Sequence, residues 1–158
     1  RAQARMNRHR QLETDMSIIY IASDHGGFNL KTFLVQYLKD KGHDVHDLGP
    51  SDPASCDYPL KAQAVTDAIL KDENAFGILV CGTGIGMSMA ANRVPGIRAA
   101  LCTTAFHAAF ARAHNNANVI CLGERVSGQG IAASMVDVFL STPFEGGRHL
   151  RRINLFNK

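Results

Sequence analysis

The residue best placed to do chemistry in this 158-residue chain is Cys81, which stands directly before Gly82, Thr83, Gly84, Ile85 and Gly86. Three glycines at alternate positions, between an apolar run and a helix-patterned one, let backbone N–H groups turn toward one point. Such a nest attracts negative charge, and a thiol beside it gains from the same dipoles, which favour the thiolate. The competing readings are ordinary ones. The glycines relieve strain in a tight turn, and Cys81 is one more buried apolar residue, like Cys102 and Cys121, which also end apolar runs. The adjoining loop weighs toward chemistry for Cys81 alone.

The loop is not a dinucleotide fingerprint, because the third glycine of Gly-x-Gly-x-x-Gly is replaced by Met87, and the Gly-Lys-Ser/Thr phosphate loop is missing too. No Asp or Glu occurs between Glu73 and Glu124, whereas Arg93, Arg98, Arg112, His107 and His114 do. A small anionic ligand suits this stretch better than a nucleotide. Asp24 and His25, followed by two glycines, pair an acid with an imidazole; the alternative is that Asp24 caps the next helix and His25 faces solvent. His114 and Asn115 close a helix-patterned stretch, where a His can also simply meet the last carbonyls. Arg148 and Arg152, four apart, share a helical face suited to phosphate oxygens, although such pairs are commonly solvated surface. Arg125 offers a third positive group. His107 has no polar cluster beside it and reads as structural.

These residues need a scaffold. Apolar, β-branched runs predict strands over 18–23, 43–48, 76–81, 97–102 and 118–122. Helical patterns fall over 28–41, 59–70, 87–92, 105–114 and 130–140, with a further helical tail between 145 and 156. Strand–helix alternation of this kind predicts one α/β domain, three layers deep and Rossmann-like, with a five-stranded parallel sheet. Ligands of such sheets gather beyond the carboxyl ends of the strands, which is where Asp24, Cys81 and Arg125 fall.

Composition narrows the function. Hydrophobic residues make up 46% and charged residues 20%, which excludes a disordered chain. No apolar run approaches the roughly 20 residues that cross a bilayer, and no secretory signal is expected. The net charge of +3 is concentrated in the first fifteen residues, where Arg1, Arg5, Arg8 and Arg10 face Glu13 and Asp15. That leaves the remainder nearly neutral and argues against nucleic acid. Residues 1–15 read as a basic tail, disordered or foreign to the fold, and residues 16–158 as the folded unit. Four cysteines without a Cys-x-x-Cys, and no His at zinc-finger spacing, point to reduced thiols in the cytoplasm and to no metal.

Taken together, several short motifs resemble the type B ribose-5-phosphate isomerases and the related allose- and galactose-6-phosphate isomerases. They are Ser-Asp-His-Gly-Gly at 23–27, Asp-Tyr-Pro at 57–59, Cys-Gly-Thr-Gly-Ile-Gly at 81–86, Ala-Asn-Arg at 91–93, Gly-Ile-Arg-Ala at 96–99, His-Asn-x-x-Asn at 114–118 and Glu-Gly-Gly-Arg-His at 145–149. The resemblance implies aldose–ketose isomerisation of a sugar phosphate by a homodimer or dimer of dimers, without metal or cofactor. It makes Cys81 the base between C1 and C2, and His114 the acid/base that opens the sugar ring. Asp24, His25, the loop from Gly82 through Gly84, Ile85 and Gly86, Asn115, Arg125, Arg148 and Arg152 become substrate contacts. Some relatives replace the cysteine by a later carboxylate; here Gly86, Met87 and Ser88 offer none, so the cysteine variant is implied. Thr83 can relay a proton to the substrate oxygen. A hexose 6-phosphate isomerase is the neighbouring alternative. A non-catalytic phosphate- or nucleotide-binding module, needing neither Cys81 nor His114, is the distant one.

Overall fold

The computed structural model describes residues 16–156, so the basic tail expected over 1–15 lies outside the described residues. Five strands, β1 (Ile18–Ser23), β2 (Asp44–Asp47), β3 (Phe76–Cys81), β4 (Ala99–Leu101) and β5 (Val119–Gly123), alternate with helices. The helices are α1 (Phe28–Asp40), α2 (Tyr58–Lys71), α3 (Ile85–Ala91), α4 (Ala105–Ala113), α5 (Gln129–Ser141) and α6 (Arg148–Ile153). All pairings are parallel, in the order β2-β1-β3-β5-β4. None of the described helices is long and apolar enough to cross a membrane.

Alternation along β3 explains the three layers. Ile78 and Val80 face one core with Leu34, Leu38, Ala108, Met135 and Phe139 from α1, α4 and α5. Leu79 and Cys81 face the other, with Val65, Ile69 and Met87 from α2 and α3. A strand covered on both sides has no polar face to show, hence its unbroken apolar sequence. Gly77 lets α2 approach closely, since a Cβ there would lie 2.8 Å from Val65 and 2.9 Å from Val119.

The sheet reverses direction of winding at β1, which lies between β2 and β3. Beyond the carboxyl ends of β1 and β3 the two connections leave toward opposite faces and open a crevice. Ser23 pairs with Val80 in register, so the next residues along the chain, Asp24 just after β1 and Cys81 at the end of β3, stand side by side at that crevice.

Candidate active site

Gly84, at φ +80°, ends the loop and starts α3, so Ile85 and Gly86 belong to the first helical turn, two residues earlier than the pattern predicts. The Gly84 N–H donates to the Cys81 sulfur at 3.1 Å. Cys81 is only 5% exposed, yet its sulfur meets a peptide dipole rather than hydrocarbon alone. Burial pushes the Cys102 thiol up to about 11, and burial, followed by the nearby Cys81 and Cys102, pushes Cys121 higher still.

Neighbouring residues close around this loop. Arg125 donates its N–H to the Gly82 carbonyl at 3.0 Å, and its side chain lies over Gly82, where a Cβ would be 3.5 Å from the guanidinium carbon. From β1, Asp24 caps the short turn His25–Gly27 by accepting the Gly27 N–H at 3.1 Å. Asp24 is thus the cap of that turn, and it borders the loop, since a Cβ on Gly26 would be 3.3 Å from both its Oδ1 and the Gly82 nitrogen. Gly27 is required by packing, because a Cβ would sit 2.6 Å from the Val80 backbone. His25 is exposed, and its Nδ1 accepts the Cys56 N–H at 3.4 Å, which leaves Nε2 toward solvent. Thr83 accepts the Ile85 N–H at 3.3 Å.

The sequence reading missed supporting residues here. Tyr58 lies against Gly86, whose added Cβ would be 2.9 Å from the ring, so Gly86 serves close approach rather than loop freedom. Glu124 accepts the Leu30 N–H at 2.6 Å and caps α1, whose N-cap Gly27 has no side chain to do so. Lys31, 2% exposed, reaches Asp47 at 2.9 Å and the Pro50 carbonyl at 2.6 Å, tying α1 to the segment that approaches His25. Lys31 lies on the face of Leu34 and Leu38, which was the available signal.

His114 is elsewhere. Helix α4 leaves β4 at the carboxyl edge and ends with His114 near the amino edge, where the Gly77 N–H donates to the Asn118 carbonyl at the start of β3. The six residues of β3 run from that edge to Cys81 at the other, roughly 16 Å. Around His114 a second cluster forms. Its ring stacks on His149 with centroids 4.1 Å apart, and Glu145 Oε2 lies 3.4 Å from His114 Nε2 and 3.2 Å from His149 Nε2. Burial, then the His114 and Arg148 charges, hold His149 below the ordinary imidazole range against the pull of Glu145. Arg148 and Arg152 project from α6 and are exposed. Within one chain, then, Asp24, His25, the loop and Arg125 gather at Cys81, whereas His114 gathers with Glu145 and His149. Asn115 instead lines a cavity of about 620 Å³ at the amino edge with Arg93, Arg98 and Phe156.

Comparison with known proteins shows the family. The ribose/galactose isomerase family profile matches residues 19–156. Ribose-5-phosphate isomerase B of Escherichia coli is 42% identical over 138 residues, covering 87% of this chain and 93% of the relative. A solved ribose 5-phosphate isomerase from Thermotoga maritima superposes with a TM-score of 0.88 at 52% identity, covering 89% of this chain and 97% of the other. Ribose-5-phosphate isomerase B of Clostridium thermocellum gives 0.86 at 47%, covering 88% and 94%. With the family profile matched over residues 19–156 and relatives at 42% to 52% identity over most of both chains, the chain belongs to the ribose/galactose isomerase family and is an enzyme of that family.

Proposed function

We propose that the protein interconverts ribose 5-phosphate and ribulose 5-phosphate in the cytoplasm, with Cys81 as the proton-transferring base. The observation that carries this reading is the Cys81 sulfur accepting the Gly84 N–H at the carboxyl edge of the sheet, in a chain whose relatives include ribose-5-phosphate isomerases. An N–H aimed at the sulfur favours negative charge on it. The thiolate takes the C2 proton of the open-chain aldose, and the electron pair moves onto the carbonyl oxygen to give an enediolate. The thiol then returns the proton to C1, while Thr83 relays a proton between the two oxygens. The loop N–H groups donate to the developing oxyanion. No electrons leave the substrate, and the same base serves both directions.

The ring must open first, and that role falls to His114. Because α4 carries His114 toward the amino edge of the sheet while Cys81 ends β3 at the carboxyl edge, about a strand's length away, one sugar does not span both. We therefore assign His114, Asn115, Arg148 and Arg152 to the site of a second copy, in a dimer or a dimer of dimers. Arg125 and His25 act on the Cys81 side. An exposed aromatic stripe supports the pairing: Phe106 is 68% exposed, its ring lies 4.4 Å from Phe110, and Phe110 in turn lies 4.7 Å from His114. Covering that stripe brings His114 against a neighbour. Arginines on the phosphate let binding at the non-reacting end orient the reacting carbons.

Steady-state kinetics with ribose 5-phosphate, allose 6-phosphate and galactose 6-phosphate test this reading. It requires the highest kcat/KM with ribose 5-phosphate, and a loss in kcat of about 10²–10⁴-fold in Cys81→Ala. Preference for a hexose phosphate would assign the same chemistry to the longer sugar. Near-wild-type turnover by Cys81→Ala would remove the thiolate from the mechanism.

A further inference from the structure

We propose that His114, Glu145 and His149 form a binding site for a divalent transition-metal ion of the zinc type. The three residues come from two distant parts of the sequence, the end of α4 and the segment that enters α6, and the fold brings one donor atom of each to within 4.8 Å of the others. Two imidazoles and a carboxylate are a donor set that suits zinc. A tetrahedral ion with bonds of about 2.0–2.1 Å sets its ligand atoms about 3.3 Å apart. Glu145 Oε2 already lies 3.4 Å from His114 Nε2 and 3.2 Å from His149 Nε2.

A second observation points to a missing ligand. His149 is 7% exposed, and its Nε2 makes no well-formed hydrogen bond, with Glu145 Oε2 3.2 Å away as its one charged neighbour among the described ion pairs. A buried ring nitrogen left without a partner costs stability, and a metal ion satisfies it where the carboxylate does not. The near-parallel rings, 13° apart, do not yet converge on one point. The freedom to converge lies with the other two ligands, because the His114 side chain is 34% exposed and that of Glu145 55%. The cation of Arg148, beside His149, works against a metal, and Glu145 offsets it.

Occupancy would tie up His114 Nε2 and halt ring opening, so the ion acts as an inhibitor; this consequence rests on the function proposed above. Cobalt(II) titrated alone into the full-length protein reads the site without any assay of turnover. The expected result is one ion per chain with the visible bands of tetrahedral nitrogen and oxygen coordination, bound at least about tenfold more weakly by Glu145→Ala and by His149→Gln. Glu145 is exposed, so its variant remains informative if His149→Gln proves unstable. Absence of those bands, unchanged affinity in Glu145→Ala, or a sulfur-to-cobalt charge-transfer band would overturn the site. Zinc should then inhibit wild-type turnover of the cyclic sugar. Cobalt binding without zinc inhibition would sustain the site and count instead against His114 as the ring-opening group.

Discussion

At the scale of single residues, Cys81 is set apart by the backbone N–H that its sulfur accepts. Burial pushes up the thiols of Cys102, just after β4, and Cys121, within β5; at Cys81 the Gly84 N–H donates to the sulfur. That donation depends on a backbone only glycine holds comfortably. Gly84→Ala would place a Cβ 2.6 Å from Leu101 and 3.0 Å from the Leu122 backbone, at φ +80°. We expect it to cost about 1–3 kcal/mol in stability and to lower kcat, both read on the same preparation by urea melts and turnover; unchanged kcat would mean that the loop geometry does not matter to the sulfur. His114→Asn should impair turnover of cyclic ribose 5-phosphate more than of its open-chain form, and equal losses on both would count against ring opening. Cys81, its loop and Asp24 were legible in the sequence because strand ends and glycines are local signals. Tyr58, Glu145 and His149 stood inside recognisable motifs but carried no role, since each acts on a residue far away in the chain.

At the scale of elements, the strands β1 and β3 coincide with their expected bounds, because alternation and unbroken apolar runs are read directly. The short pieces drifted: β4 is Ala99–Leu101 rather than 97–102, and α3 starts at Ile85 rather than 87. Their limits are set by pairing with β5 and by the Gly84 turn, which periodicity does not encode. Segment anchoring is also tertiary. Asp47→Ala would leave the Lys31 ammonium, 2% exposed, with the Pro50 carbonyl as its remaining partner. Since Asp47 is itself 36% exposed, we place the loss near the low end for a broken buried pair, about 3 kcal/mol, measured by urea unfolding; a change within error would show the tie to be idle. His43 sets an acid limit. Burial holds its imidazole below the ordinary range, and its Nδ1 accepts the Ser17 N–H at 3.0 Å. With the folded value depressed, the contribution of the neutral ring is present above the unfolded value of about 6.5 and is lost as pH falls through the folded one. Thermal melts taken downward from neutral pH should show stability falling, and falling less in His43→Asn; identical slopes would relieve His43 of the role.

At the scale of the whole molecule, Cys81 and His114 stand toward opposite edges of the sheet, and the proposed mechanism makes each the half of a site. Topology explains why one half was readable and the location of the other was not. The crevice beside β1 follows from strand order, and the residues at its mouth follow each strand directly. His114 ends a helix, and helices return to the amino edge, so a sequence that supplies both groups does not say that they serve different substrates. Phe106, Phe110 and Leu150 are exposed beside that second half, where isolated apolar side chains would be unremarkable but an aromatic run leading to His114 needs cover. Completion of each site by a neighbour is the claim on which the proposed mechanism stands. It is tested by mixing Cys81→Ala with His114→Asn, each inactive on cyclic ribose 5-phosphate, after dissociation and reassociation. In a two-fold dimer half the products are mixed, and each mixed dimer holds one site with Cys81 and His114 both intact, so about a quarter of wild-type turnover should return. Mixtures that stay as inactive as either parent, although mixed dimers have formed, would contradict it.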